Sequence, residues 1–257
     1  MCGRYVIASS PEALRRLFGY SEQPNYPPRY NVAPTQPVPV VMLENGTRHF
    51  QLMRWGFLPS WVKDPRTFAL VINARAETVL EKPSFRNAIR RRRCLLPADG
   101  YYEWQASPAR KRPFFIRRRD GEPVAFAGVA ETWVGPNGEE VDTVAIVTAA
   151  ASPEMAALHD RVPVTIDPPD FDRWLDGSMT EAEDAMTMLV APPRGTFVWH
   201  EVSTAVNRVA NDIADLILPC SEEDIAIAEA ASRKQPKEAQ RKIKVSAPED
   251  NGQGSLF

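Results

Sequence analysis

Two turn sequences, Asn45-Gly46 and Asp120-Gly121, place the strongest constraint on how this chain can fold. Each dipeptide is a preferred centre for a tight β-hairpin turn, and each stands between apolar, strand-forming runs. They predict two hairpins, which pair Val38–Leu43 with Thr47–Trp55 and Phe114–Arg118 with Val124–Trp133. The chain also lacks the regular strand–helix–strand alternation of a parallel sheet. We therefore expect an α+β protein of many antiparallel strands with interspersed helices.

Weaker patterns predict the remaining elements. Ser10-Pro11-Glu12 combines a capping hydroxyl, a proline and an early acid, which predicts a helix that ends at Gly19. The proline-dense stretch Pro24–Pro39 predicts an ordered surface loop rather than a central strand. Further strands are predicted at Leu70–Ile72, Cys94–Leu96, Thr143–Thr148, Val164–Ile166 and Phe197–Val202. Further helices are predicted at residues 85–93, Pro153–Leu158, Pro169–Leu175, Thr180–Val190 and Asn207–Leu216. The first of these is capped by Ser84 and ends in Arg90–Arg93, which we expect to be solvated.

The character of the sequence changes near Ser221. Residues 1–220 read as one globular domain, and the 257-residue length is enough for one good-sized core. Residues 221–257 read as a tail, in which Glu222–Ser232 has helical composition and the polar stretch Lys234–Gly254 predicts disorder.

Several classes of protein are disfavoured by composition. Three cysteines do not make a disulfide framework, and no histidine or cysteine spacing suggests a metal site. Glycine-rich phosphate motifs are lacking, so we expect no cofactor. The net charge of −2 argues against a generally basic nucleic-acid binder, but residues 86–119 carry eleven Arg and Lys against two acids, which predicts a local basic face. With no signal peptide and no long apolar run, we expect a cytoplasmic protein without membrane contact. We also expect a monomer.

Cys2 carries the most unusual chemistry in the sequence. An initiator methionine before a small residue is normally removed, which leaves Cys2 with an α-amine beside its thiol. The neutral fraction of an α-amine, whose pKa is about 7.7–8.0, can attack an aldehyde to form a Schiff base. The thiol can then close a thiazolidine ring, because proximity favours the intramolecular step. A cysteine at position 2 can also be incidental.

Three other short patterns allow a functional and a structural interpretation. Glu103 stands between two aromatic residues, which makes it a candidate for a raised pKa and for acid–base catalysis. Taken alone, this stretch favours an exposed or salt-bridged glutamate in a strand. His159 and Arg161 are two residues apart and share one face of an extended segment. Asn73 and Arg75 have the same spacing and suit orientation of an amine and binding of phosphate. A lone histidine, a turn asparagine and a structural ion pair are the alternatives.

The segment Trp55–Trp61 holds three large aromatic residues. Core packing explains them, above all Trp55, whereas exposed aromatics at a loop can stack on nucleic-acid bases.

Taken together, these patterns resemble one family. Seven motifs occur in the order Met1–Tyr5, Tyr30–Pro34, Trp55–Pro59, Asn73–Thr78, Pro97–Trp104, His159–Pro163 and Ser203–Asn207. The chain resembles the SRAP family of SOS-response-associated peptidases, or abasic-site-processing proteins, over about residues 2–219. The resemblance implies a single domain of curled, mostly antiparallel, barrel-like β-sheet with peripheral helices. It also implies that the aldehyde is the ring-opened sugar of an abasic site in single-stranded DNA.

The resemblance also implies roles for individual residues. Cys2 would be the nucleophile, Asn73 would position its amine and the sugar, Glu103 would be the acid and base, and His159 would assist proton transfer. The residues implied to bind DNA are Arg4, Asn31, Arg75 and Arg161, together with the stacking or wedging Trp61 and Trp104. Val162, Tyr5 and Tyr101 depart from the family pattern, in which Met follows the arginine and Phe is common at the other two positions.

Two alternatives to the crosslinking function stay open. A thiol peptidase could also use the thiol, carboxylate and imidazole of Cys2, Glu103 and His159. In its minimal form, such a peptidase would remove Met1 from its own chain. A non-catalytic reader of modified bases or single-stranded DNA is the other alternative. The last five residues resemble peptides that dock on the bacterial sliding clamp, which predicts clamp binding through Gln253, Leu256 and Phe257.

Overall fold

The computed structural model of this chain describes residues 2–108, 110–221 and 223–225. Within these residues the strands are β1 (Tyr5–Ile7), β2 (Arg29–Val32), β3 (Pro37–Glu44), β4 (Thr47–Trp55), β5 (Asn73–Arg75), β6 (Arg93–Ala98), β7 (Gly100–Ala106), β8 (Lys111–Arg118), β9 (Val124–Val134), β10 (Glu140–Ala150), β11 (Arg161–Pro163), β12 (Thr165–Ile166) and β13 (Phe197–Glu201). The α-helices are α1 (Pro11–Phe18), α2 (Ala88–Arg91), α3 (Phe171–Leu175) and α4 (Ala182–Ala185). Single 3₁₀ turns are formed by Pro65–Thr67, Ala76–Thr78, Met155–Ala157, Pro168–Asp170, Met186–Met188, Thr204–Asn207 and Ala214–Ile217.

Five strands close into a barrel. The sheet runs β10-β4-β3-β6-β9, and β9 pairs again with β10, which completes the ring. The β3–β4 hairpin turns at Asn45 and Gly46, whose φ angles of 50° and 76° suit the predicted turn. Only the β4–β10 contact in the ring is parallel. The predicted curled, mostly antiparallel, barrel-like fold is therefore confirmed.

A second, antiparallel sheet lies beside the barrel and carries the N-terminus. Its order is β13-β8-β7-β1-β2. Tyr5 of β1 pairs with Tyr101 of β7, and both rings meet the edge of Phe126 from β9 of the barrel. The two sheets therefore share one apolar core, which also buries Trp55 completely.

The predicted first helix is confirmed in full. The Ser10 side chain accepts a hydrogen bond from the Ala13 N–H, and Gly19 ends the helix in the left-handed region at φ 72°. Leu14 and Phe18 face the core, where Phe18 stacks on Phe171 of α3 with ring centroids 5.3 Å apart. This helix packs on the outside of the sheets, as expected.

The second predicted hairpin is wrong. Strands β8 and β9 do form, but β8 pairs with β7 and β13, whereas β9 pairs with strands of the barrel. Asp120-Gly121 therefore turns the chain from one sheet into the other. A turn sequence fixes the reversal of the chain but not the partner of each strand.

Local element boundaries also differ from the prediction. The strand expected at Leu70–Ile72 lies at Asn73–Arg75. The Pro-rich stretch expected to be a loop contains β2, which forms the edge of its sheet and so tolerates nearby prolines. It also contains the first three residues of β3, which lies between β4 and β6, so the expectation that it contributes to no central strand is wrong. The helix expected at residues 85–93 shrinks to α2 with no side-chain cap, and Arg93 enters β6 as a buried residue rather than a solvated one. Residues 207–216, expected to be helical, contain only the ends of two 3₁₀ turns.

Residues up to Cys220 form one compact unit. The predicted disordered stretch and the predicted clamp-binding residues Gln253, Leu256 and Phe257 lie outside the described residues. Across the described part of the chain, no helix is long and apolar enough to cross a lipid bilayer.

Candidate active site

Cys2 is fully buried just before β1. Its main-chain carbonyl accepts a hydrogen bond of 3.0 Å from Nδ2 of Asn73. Asn73 begins β5, which pairs in parallel with β10 through Ile146. The barrel wall therefore fixes the amide that holds the N-terminal segment. The Oδ1 atom of Asn73 is buried and makes no hydrogen bond within the described chain, so an acceptor faces the interior beside Cys2.

Glu103 is the acid beside this cysteine. It lies on β7 and is only 3% exposed. Burial raises the pKa of Glu103 above its usual range, with partial opposition from the charge of His159. Burial also raises the pKa of the Cys2 thiol, and the negative charge of Glu103 adds to this effect. The site therefore favours a neutral thiol and a carboxyl group that retains its proton closer to neutral pH.

The Nδ1 atom of His159 has two neighbours, and each suits a different protonation state of that nitrogen. Its Nδ1 accepts from the main-chain N–H of Arg161 at 3.0 Å and also lies 2.7 Å from Oδ1 of Asp160. An unprotonated Nδ1 satisfies the first contact, and a protonated Nδ1 satisfies the second.

The guanidinium of Arg161 is held by the protein. It forms a bidentate pair with Glu77, at 2.7 Å and 2.9 Å, and also donates to the main-chain oxygen of Thr148. A phosphate contact by Arg161 therefore has to share the guanidinium with Glu77, or use its buried Nε, which makes no hydrogen bond within the described chain.

Arg4 and Asn31 form a second anchored pair. Arg4 donates to Oδ1 of Asn31 at 2.7 Å and to the main-chain oxygen of Val206 at 2.9 Å. Asn31 is fully buried, and its amide donates to three main-chain oxygens between residues 206 and 211. Because Asn31 is buried, its contribution to this surface is to orient the Arg4 guanidinium.

Two tryptophans and an arginine lie nearer the solvent. Trp61 is 58% exposed and meets Phe68 edge to face, unlike the buried Trp55, so the aromatic segment serves both core and surface. Trp104 is half-buried, donates to Oδ1 of Asn207 at 2.7 Å and lies under the Arg4 guanidinium, 5.9 Å from the ring centre. Arg75 is exposed at the end of β5.

Three contributors to this region have no assigned role in the sequence prediction. Glu77 orients Arg161, Asn207 orients Trp104, and Asp212 accepts from the backbone of Tyr30 in β2. All three lie within or just beyond predicted motifs, but their partners are 84 to 182 residues away in sequence. The sequence can identify these residues only as members of a motif, because the fold determines which distant residue each of them contacts. Among the described residues, no group of three or more His, Cys, Asp or Glu side chains is arranged to hold a metal ion.

The fold and the site together define a class of protein. A closed barrel fixes a cysteine near the N-terminus beside a carboxyl group and an imidazole, which are the parts for nucleophilic chemistry on an electrophilic substrate. The family described as SOS response associated peptidase (SRAP) matches residues 1–209. This chain belongs to that family, and the resemblance found in the sequence is confirmed.

Several relatives share the name abasic site processing protein. The abasic site processing protein YoqW of Bacillus subtilis is 34% identical over 221 residues, which cover 84% of this chain and 99% of the relative. The abasic site processing protein YedK of Escherichia coli is 33% identical, with 85% and 100% covered. The abasic site processing protein HMCES of Gallus gallus is 30% identical, with 85% and 78% covered.

Solved structures agree on the fold. A protein from Bacteroides thetaiotaomicron superposes with a TM-score of 0.76 at 23% identity, covering 86% of this chain and all of the other. A phage-related protein from Bordetella bronchiseptica gives a TM-score of 0.64 at 29% identity, with 78% and 94% covered.

Proposed function

We propose that this protein processes abasic sites in single-stranded DNA by forming a covalent crosslink through Cys2 once Met1 has been removed. The observation that carries the proposal is the burial of Cys2, held by the Asn73 amide beside Glu103. The names of the relatives support the choice of substrate. The crosslink would shield the lesion while the DNA is replicated.

The chemistry balances without a cofactor. The ring-opened abasic sugar offers an aldehyde, and the neutral α-amine of Cys2 adds to it to give a carbinolamine. Loss of one water molecule forms the imine. The thiol then adds across the C=N bond: sulfur bonds to carbon, the thiol proton leaves sulfur, and nitrogen ends as the secondary amine of a thiazolidine.

Glu103 and His159 are suited to move the protons in these steps. A carboxyl group with a raised pKa can donate a proton to the departing hydroxyl of the carbinolamine and then act as a base. The alternative Nδ1 contacts of His159 suit it to exchange a proton in the forward reaction and in reversal of the crosslink. Asn73 would hold the amine in line with the aldehyde.

The DNA would lie over a surface of arginines and tryptophans. Arg4, Arg75 and Arg161 would bind phosphates around the lesion, and Asn31 would act by holding Arg4. The exposed ring of Trp61 and the half-buried ring of Trp104 would stack on or wedge against bases.

A self-processing peptidase activity is compatible with this site in one limited form. A thiol peptidase relies on a thiolate, and the raised pKa of the Cys2 thiol disfavours one at neutral pH. Removal of Met1 is needed only once per molecule and tolerates a small thiolate fraction, so we restrict the activity to that step. Expression with cellular methionine aminopeptidase inhibited, followed by intact mass measurement, tests it: retention of Met1 would show that a cellular enzyme is needed.

Incubation with an oligonucleotide containing one abasic site tests the main proposal. We expect a stable adduct on denaturing gels without borohydride, and an intact mass equal to protein plus DNA minus one water. Cys2→Ala, or an N-terminal extension that blocks the amine, should abolish it. Cys220→Ser is the matched control, because it removes a different, half-buried thiol and should leave the adduct unchanged. Stable crosslinking by the extended protein would contradict the mechanism. If the unextended protein binds the oligonucleotide normally but forms no adduct, that result would favour a non-catalytic reader.

The C-terminal residues would recruit the protein to the sliding clamp. Gln253, Leu256 and Phe257 supply one polar and two apolar anchors for a groove on that partner. Removal of residues 253–257 should abolish co-migration with the clamp and leave crosslinking unchanged. Co-migration of the truncated protein would contradict this assignment.

A further inference from the structure

The segment that follows β13, residues 203–212, is held against two residues that the proposed function assigns to DNA. Arg4 donates to the main-chain oxygen of Val206 at 2.9 Å, and Trp104 donates to Oδ1 of Asn207 at 2.7 Å. The two holding side chains also meet, since the Arg4 guanidinium lies over the Trp104 ring at 5.9 Å from its centre. The segment therefore borders the proposed DNA-binding surface.

Arg208 is the residue after this anchored position, and its main chain is fixed in both directions. Its N–H donates to the main-chain oxygen of Ala205 at 3.2 Å, and its carbonyl accepts from the Asn31 amide at 3.2 Å. Its Cα lies one peptide unit, about 3.8 Å, from that of Asn207, whose side chain holds Trp104. The fold therefore fixes the base of the Arg208 side chain beside the proposed DNA-binding surface.

The Arg208 guanidinium is available for a ligand. The residue is exposed, and its side chain makes no hydrogen bond or ion pair with the rest of the described chain. Asp212, the nearest acid in sequence, is already bound by Arg29 and by the main-chain N–H of Tyr30. Arg4, by contrast, donates from Nη1 to two acceptors of the protein. Arg208 thus keeps all the N–H donors of its planar fork for a group such as phosphate.

Position distinguishes Arg208 from an arginine that is merely solvated. Most arginines are exposed, and exposure alone indicates no ligand. Arg208 combines an uncommitted guanidinium with a main chain that is anchored next to the contacts of Arg4 and Trp104. Phosphate matches this arrangement in charge and in acceptor geometry. A DNA strand presents phosphates in series, so a phosphate bound by Arg4 has a neighbour on the same strand.

We propose that Arg208 binds a backbone phosphate of the lesion-bearing strand, adjacent to the phosphate bound by Arg4. The inference deepens the proposed function and rests on it. Phosphate contacts fix the position and orientation of a strand but do not read its sequence. Arg208 therefore contributes to capture of the strand and touches none of the reacting atoms.

Arg208→Gln tests this assignment, since it removes the charge and breaks no side-chain contact within the described chain. Binding of single-stranded DNA is measured by fluorescence anisotropy over a range of salt concentrations, in a Cys2→Ala background that prevents crosslinking. We expect weaker binding and a slope of log K against log salt that is smaller in magnitude by about 0.7, the contribution of one phosphate contact on a single strand. Arg208→Lys keeps the charge and should retain the slope.

Arg194→Gln is the matched control. Arg194 is exposed like Arg208 but precedes β13 rather than following it, so it lies near the opposite end of that strand. Its replacement should leave the slope unchanged. An unchanged slope for Arg208→Gln would overturn the phosphate contact. An equal fall in both variants would also overturn it, because the effect would then reflect net charge alone.

Adduct formation with Cys2 intact separates this inference from the proposed function. Arg208→Gln should raise the concentration of abasic DNA that gives the half-maximal rate, and a lower maximal rate with no change in that concentration would contradict a role in capture. Absence of any adduct with the unaltered protein, together with a smaller salt slope in Arg208→Gln, would overturn the crosslinking function and leave the phosphate contact in place.

Discussion

Arg161 donates hydrogen bonds to both carboxylate oxygens of Glu77, at 2.7 Å and 2.9 Å. The same acid accepts the main-chain N–H of Ala150 at 3.2 Å. Glu77 therefore ties the segment after β5 to the end of β10 and the start of β11. It fixes the orientation of a guanidinium that the proposed function assigns to DNA, next to the strand that carries Asn73.

Glu77→Gln should lower stability in a way that depends on pH. The hydrogen bond from Arg161 lowers the pKa of Glu77, so the ion pair stabilises the folded state fully above the ordinary carboxylate pKa and is lost as pH falls through the lowered value. Because Glu77 is half-exposed and screened by water, we expect a loss of no more than about 1 kcal/mol at pH 7. Urea unfolding of both proteins at pH 7 and at about pH 3, below the usual carboxylate pKa, should show the difference shrinking in acid.

Glu183→Gln provides the comparison for that experiment. Its partner Arg90 is 46% exposed, and Glu183 itself is 64% exposed. We expect no measurable change in stability at either pH. A loss at pH 7 in Glu77→Gln that persists unchanged in acid would show that the glutamate acts by packing rather than by charge.

Asn31→Ala and Arg4→Ala should weaken DNA binding to similar extents and without additivity. Asn31 is buried and provides the acceptor that orients Arg4, so each substitution removes the same contact with DNA. We expect the double variant to bind about as weakly as either single variant, as for residues that act as one unit. Fluorescence anisotropy with single-stranded DNA, in a Cys2→Ala background that prevents crosslinking, measures the dissociation constants.

Asn31→Ala combined with Arg75→Ala gives the contrasting case. Arg75 is exposed on β5, which belongs to a different sheet from the β2 strand of Asn31. Their effects on the free energy of binding should add. Additivity of Asn31 with Arg4 would instead show that Asn31 does not act through Arg4.

The parts of the fold that the sequence predicts well are those fixed by neighbouring residues. Ser10 and Gly19 bound α1 because capping is local, and Asn45-Gly46 fixes the β3–β4 hairpin because the turn brings adjacent strands together. The predicted pairing of β8 with β9 is wrong because the two sheets, rather than the turn between the strands, determine their partners. The closure of β9 on β10 and of β10 on β4 is likewise a property of the whole barrel.

The candidate site shows the same division. The chemical character of Cys2, Asn73, Glu103 and His159 follows from residue type and motif, and the family resemblance places them in one reaction. Their contacts do not follow from the sequence: the amide that holds Cys2 comes from a strand 71 positions away. The buried hydroxyls of Tyr5 and Tyr101 make no hydrogen bond within the described chain, and their isolation depends on packing that the sequence does not reveal.

Glu103→Gln should change the pH dependence of crosslinking as well as its rate. Burial raises the pKa of Glu103, so its protonated form persists toward neutral pH and is lost as pH rises through that value. The α-amine becomes neutral, and therefore reactive, as pH rises through its pKa of about 7.7–8.0. We expect a bell-shaped rate profile for the unaltered protein, and a rate about a hundredfold lower in Glu103→Gln with no decline at high pH from this group.

Rates of adduct formation measured between about pH 5 and pH 9 test this expectation, since that range spans the amine pKa. Glu140→Gln, which alters an exposed glutamate at the start of β10, should retain the full profile. An unchanged high-pH limb in Glu103→Gln would assign that limb to another group.

Arg93→Met should destabilise the protein strongly, although the residue lies outside the candidate site. Arg93 is 1% exposed and donates to the main-chain oxygens of Ile89, Trp174, Asp176 and Thr180, so one guanidinium joins β6 to α2, α3 and the loop that follows. Methionine fills much of the space but leaves these acceptors unsatisfied, and we expect a loss of about 3 kcal/mol or more in the free energy of unfolding. Arg91→Met, in the same arginine run but exposed, should change it by less than about 0.5 kcal/mol. Urea unfolding monitored by tryptophan fluorescence compares the two variants. The ordinary cost of a point mutation is about 1 kcal/mol, and a smaller loss for Arg93→Met would show that other donors or water replace the guanidinium.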